Sequence, residues 1–190
     1  MQLGNRMARL KRLEVELDGV TSSRDLHAVL SRALGFPVWY GANWDAFGDA
    51  ITGLVDMPVQ LVFSGWQGLA TRFPEDAEHL SQCLMGMQVQ YPTLAPVKVL
   101  WQVSTVDAVS PIERIEFAIA SRVHQLFSRV VKLGSPMMIK TPSGDWLEAT
   151  LNGMTSVAEV ASILQGDLVL RAGFPAADVP VGSRVFLVSL

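Results

Sequence analysis

The sequence predicts an α/β fold: a small three-stranded parallel sheet covered by helices, followed by a smaller α+β C-terminal domain. Three observations carry this. Leu13-Glu14-Val15-Glu16-Leu17 alternates apolar and acidic residues, the mark of a strand with one buried face. Val59 to Phe63 and Val97 to Val103 are short apolar runs of the kind buried parallel strands show. Between these runs the apolar residues recur at helical spacing, giving the order β-α-α-β-α-β.

Each element has a local reason. Asp18-Gly19 supplies a turn after the first strand. Ser22 and Ser23 offer an N-cap, and Leu26, Val29, Leu30, Ala33 and Leu34 form one helical stripe. Gly35 ends that helix and Pro37 follows. Asn43 caps a second helix, in which Trp44, Phe47, Ile51 and Leu54 share a face. Gly65, Gly68 and the stretch to Phe73 read as loop or a short helix. Pro74 with Glu75 and Asp76 suits the first turn of a third helix, cored by Ala77, Leu80, Leu84 and Met87.

From Ser110 the pattern changes. Ser110-Pro111-Ile112-Glu113 reads as a capping box opening a long helix with Ile112, Ile115, Ile119, Val123, Leu126 and Val130 on one side. Met137–Thr141 and Trp146–Leu151, separated by Pro142-Ser143-Gly144-Asp145, read as a hairpin. A short helix over Ser156–Gln165 and strands over Leu168–Ala172 and Arg184–Ser189 complete the expectation. The domains expected are a basic N-terminal tail over 1–12, an α/β domain over 13–108 and an α+β domain over 109–190.

The 190 residues are 49% apolar and 17% charged, a composition that folds rather than stays disordered. No apolar run reaches the ~20 residues of a membrane helix, and the N-terminus lacks an apolar signal core. One cysteine, Cys83, cannot form an internal disulfide. Together these predict a cytoplasmic protein with no membrane partner. Residues 13–110 carry four basic side chains against eleven acidic ones, whereas 111–190 are balanced at seven each. An acidic half repels phosphate backbones, which disfavours nucleic acid and favours a basic partner.

Chemistry-bearing motifs are absent. His27, His79 and His124 fall in three different predicted helices without a second ligand at i+3 or i+4, so no metal is expected. Each reads as a surface or half-buried helix residue. There is no nucleophile elbow, P-loop or dinucleotide fingerprint, so neither a catalytic residue nor a cofactor is expected.

The informative stretch is Trp39 to Asp49. Asp45 and Asp49 stand four apart on the second helix and share a face opposite Trp44, Phe47 and Ile51. Asp56 extends that stripe just past the helix end. Gly48 between them costs roughly 1 kcal/mol relative to alanine. Two readings stand at this point: a solvated acidic face, or a notch that docks a cationic side chain.

At these residues the sequence resembles the barstar family of intracellular ribonuclease inhibitors. The resemblance runs over about residues 13–104 and is dense from Leu17 to Pro58. It includes Asp25-Leu26-His27, Pro37, Tyr40-Gly41, Asn43, Asp45-Ala46, Asp49, Thr52-Gly53 and Pro58. It implies a non-enzymatic, immunity-type inhibitor whose loop and second helix occlude the basic active-site cleft of a cognate toxin. Carried over by position, Asp45 and Asp49 match the family's inhibitory aspartates, and Trp39 stands at an aromatic contact. Tyr40, Asn43, Gly48, Asp56, Met85 and Gly86 complete the expected partner-binding set. Two departures matter. Gly48 replaces a large aromatic contact, and Gly86 stands near where a further acidic contact is expected. They point to a partner that is not a close relative of barnase. Residues 109–190 lie outside the resemblance. The alternative reading is an interaction module whose recognition lies there.

Overall fold

The computed structural model describes residues 9–107, 109–113, 116–124, 132–160 and 163–189. Strand β1 (Arg12–Glu16) is followed by α1 (Ser23–Leu34), α2 (Trp44–Gly53), β2 (Gln60–Ser64), α3 (Trp66–Arg72), α4 (Pro74–Gln90) and β3 (Lys98–Thr105). Strands β1, β2 and β3 are parallel and adjacent, as the apolar runs predict. The stretch left open between loop and helix after Gly65 is the short helix α3.

Beyond β3 the structure departs from expectation. The chain continues as β4 (Val109–Glu113), β5 (Glu116–His124), β6 (Pro136–Lys140), β7 (Trp146–Val160), β8 (Ile163–Ala172), a 3-10 turn (Ala176–Asp178) and β9 (Arg184–Ser189). The hairpin and the last strand stand where they are expected. The long helix from Ser110 does not: its first half is the antiparallel pair β4–β5, and its remainder, 125–131, lies outside the described residues. His124 therefore falls on a strand. The short helix over 156–165 is likewise replaced by the ends of β7 and β8.

The physical reason is a second period hidden in the same residues. Phe117, Ile119 and Val123 also fall on alternate positions, and isoleucine, valine and phenylalanine favour strands. Pro111 falls on β4, an edge strand of the sheet, the place in a sheet where proline is tolerated.

The nine described strands form one sheet, in the order β1-β2-β3-β9-β6-β7-β8-β5-β4. The smaller C-terminal α+β unit is thus corrected to an antiparallel extension of the parallel sheet, joined where β9 pairs with β3. Both faces are apolar. One carries the main core, with Leu26, Leu30, Phe47, Ile51, Phe63, Trp66, Leu80 and Leu84 packed with Trp101, Val185 and Leu187. The other carries Val62, Leu100, Phe186 and Val188, flanked by Met138 and Trp146.

That second face is closed by curling. Lys140 Nζ lies 2.7 Å from Glu14 Oε2, although β2, β3 and β9 stand between their strands. Arg184 pairs with Glu16 at 3.3 Å. The Arg12 guanidinium sits 4.3 Å from the Trp146 ring centre, and Lys140 Nζ 5.5 Å from it. The acidic side of β1 is therefore neutralised by the C-terminal extension. Arg9 fastens the start of the chain: its guanidinium donates to the carbonyls of Met57, Pro58, Thr93 and Ala95. No described helix is long and apolar enough to cross a membrane.

Candidate functional site

The candidate surface is built by two helices and the loop between them. Ser22 caps α1 by accepting from Asp25 N–H, and the Asp25 carboxylate in turn accepts from the Thr21 N–H and hydroxyl. Those hydrogen bonds hold the Asp25 carboxyl below the usual range. Gly35 ends α1 in the left-handed conformation, φ 74°. Asn43 caps α2, its Oδ1 accepting from Ala46 N–H at 2.8 Å.

His27 is the anchor beneath it. It is 2% exposed, and its Nδ1 is 2.6 Å from the Tyr40 hydroxyl. This corrects the expectation of a surface or half-buried histidine. Burial pushes the imidazole pKa down, opposed by the charge of Asp76. Burial pushes the Tyr40 hydroxyl up to about 12, helped by the nearby Cys83. The Tyr40 ring packs on Phe36, with centres 4.8 Å apart.

Trp44 ties the same region to α4. Its ring stacks on His79 and tilts against His27, while Nε1 donates to Asp76 Oδ1 at 3.1 Å. Asp76 also accepts from the Ser23 hydroxyl, so one carboxylate joins α1, α2 and α4. Trp44 is half-buried here, and Leu54 is 46% exposed, so the apolar face of α2 is narrower than its spacing predicts.

The predicted site residues fall as follows. Trp39 is 70% exposed at the crest of the loop, beside a fully exposed Val38. Tyr40 points back into the fold through His27. Asn43 is a cap. Asp45 and Asp49 are exposed on α2, one turn apart. Asp45 lies close enough to Cys83 on α4 that its charge, after burial, raises the thiol pKa. Asp56 is exposed beyond the end of α2. Met85 is 42% exposed on α4. A side chain at Gly48 or Gly86 would meet nothing within 4 Å, so both glycines leave open space.

The structure thus gathers Tyr40, Trp44 and Asp45 around the His79–Cys83 stretch of α4. Gly86 continues that α4 row one turn further. It does not bring Asp56 into contact with any of them. The residues that sequence reasoning misses are the supports: His27, Trp44 and Asp76. His27 stands three and seven residues before Leu30 and Leu34, a spacing that already marks it as facing the core. Among the described residues, no three His, Cys, Asp or Glu side chains gather where they could hold a metal ion.

The element order and the parallel β1–β2–β3 strands are those expected of a barstar-like α/β unit. Residues 10–102 match the family Barstar (barnase inhibitor), so this stretch is barstar-like. A 42-residue segment is 45% identical to the Bacillus subtilis (strain 168) protein named "Putative ribonuclease inhibitor YrdF". That segment is 22% of this chain and 46% of the relative, so the match spans about half of the relative's length. A membrane fusion protein from Streptococcus pneumoniae R6, Spr0693, aligns over 88% of this chain and 78% of its own. At 8% identity and a TM-score of 0.31 that likeness carries no argument.

Proposed function

We propose that this chain is an immunity-type inhibitor that binds a ribonuclease-type toxin and occludes its basic active-site cleft. It acts as a cytoplasmic binding protein, not as an enzyme. The observation that carries this is the exposed pair Asp45 and Asp49 beside the exposed Trp39, on a barstar-like surface.

The mechanism is steric and electrostatic. The Trp39–Asp49 segment enters the cleft, where Asp45 and Asp49 pair with the Arg or Lys groups that otherwise hold RNA phosphates. The net-negative α/β half speeds encounter with such a cleft. Truncating a desolvated pair costs about 2–5 kcal/mol of binding, whereas an exposed rim pair costs under about 1 kcal/mol. His27, Tyr40, Trp44 and Asp76 hold the segment in place before binding, which lowers the ordering cost.

A pull-down from the native host tests this, with wild type beside the Asp45→Ala/Asp49→Ala variant. The reading expects wild type to capture a basic ribonuclease and suppress its activity, and the double variant to lose both. A captured nuclease that stays fully active, or one retained by the variant, contradicts it.

A further inference from the structure

The described α/β half, residues 13–107, holds four basic side chains among eleven acidic ones. Arg72 is already engaged, donating to the carbonyls of Asp18 and Val20, and Lys98, on β3, lines a different cavity with residues of β6, β7, β8 and β9. The other two, Arg24 and Arg32, line one and the same cleft. Both are exposed, and neither forms an ion pair among the described residues. Arg32 acts on Asp25 only as the last and smallest influence on that carboxyl.

The cleft lies between α1 and the 35–42 loop and holds about 450 Å³. That is within the usual range for a small-molecule site. Arg24 and Arg32 stand eight residues apart, about 12 Å along the helix, and so bracket it from both ends. Ser31 adds a hydroxyl between them, while Phe36, Pro37, Val38 and Tyr40 give an apolar and aromatic wall. An anionic surface that keeps its two uncommitted guanidiniums for one aromatic-walled cleft is built for an anion with a flat body. Guanidinium forks match phosphate geometry, and aromatic rings and arginine planes stack on bases.

We propose that this cleft binds a mononucleotide, with its phosphate on one arginine and its base against the Phe36–Tyr40 wall and the second arginine. The site shares Tyr40 and Ala42 with the segment that carries Trp39, but it does not include Asp45 or Asp49. The proposal therefore stands whether or not the inhibitor reading does.

Titration of the full chain with adenosine monophosphate, followed by amide NMR shifts, tests it. Adenosine and sodium phosphate serve as comparators at matched ionic strength. The proposal expects saturable shifts confined to residues 24–42, at least tenfold weaker with adenosine or with phosphate alone. Arg24→Ala/Arg32→Ala should weaken binding at least tenfold at unchanged melting temperature, since both side chains are exposed. No saturation up to about 10 mM, the weak edge of recognition, overturns it. So does a response mapping elsewhere, equal binding of bare phosphate, or an unchanged affinity in the double variant.

Discussion

His27 and Gly65 show how single residues set the terms for the whole surface. Gly65 turns the chain from β2 into α3 at φ 73°, and a Cβ there would lie 2.6 Å from the Asp18 backbone nitrogen. Backbone cannot yield as a flexible side chain can, so Gly65→Ala should cost about 2 kcal/mol or more in urea unfolding. Gly48 and Gly86 are the opposite case. Both are helical with open space around them, so Gly48→Ala and Gly86→Ala should each stabilise by about 0.5–1 kcal/mol. A loss of stability at either would show that the notch is packed rather than open. His27 makes stability depend on pH. Its folded pKa lies below the usual 6.5, so the unfolded chain binds the proton more readily. The stability is complete above 6.5 and falls as the pH drops below it. The urea midpoint should decline between pH 7.5 and pH 5.5, and His27→Gln should flatten that part of the profile.

Elements that local chemistry fixes were legible in the sequence. Caps at Ser22 and Asn43, the left-handed Gly35 and the proline start of α4 each leave a signature within a few residues. Trp146–Leu151 and Leu168–Ala172 were legible as strands; β4, β5 and the outer parts of β7 and β8, 152–160 and 163–167, were not, because Ile119, Val123 and their neighbours satisfy both a helical and an alternating pattern. What decides between them is pairing: β5 gains a full ladder with β8, and β7 another. The same limit applies to the candidate surface. Asp45 and Asp49 could be placed on one face from spacing alone. The support of Tyr40 by His27, and of Trp44 by Asp76, needed the packing of three helices. At this scale Trp146 is the test of how the extension closes the second face. It packs on Phe186 beneath Arg12 and Lys140, and Trp146→Ala should cost about 2–4 kcal/mol.

Across the whole molecule, charge and topology work together. The extension pairs Lys140 and Arg184 with Glu14 and Glu16, so the acidic groups of β1 are balanced within the fold. Asp45, Asp49 and Asp56 are left exposed without an ion pair among the described residues. The same extension supplies β9 as the neighbour of β3 and covers Val62 and Leu100. A chain ending at residue 108 would bare both an apolar face and a strand edge, and it should aggregate on refolding. A soluble monomer with native-like stability would contradict that. The central claim is that Asp45 and Asp49 steer and hold a basic target. The most direct measurement is the association rate of the captured target with wild type and with Asp45→Ala/Asp49→Ala, at low and at physiological salt. The account predicts a fast wild-type rate that falls steeply with salt, and a variant that is at least tenfold slower with a shallower salt dependence. Identical rates and identical salt slopes would contradict it.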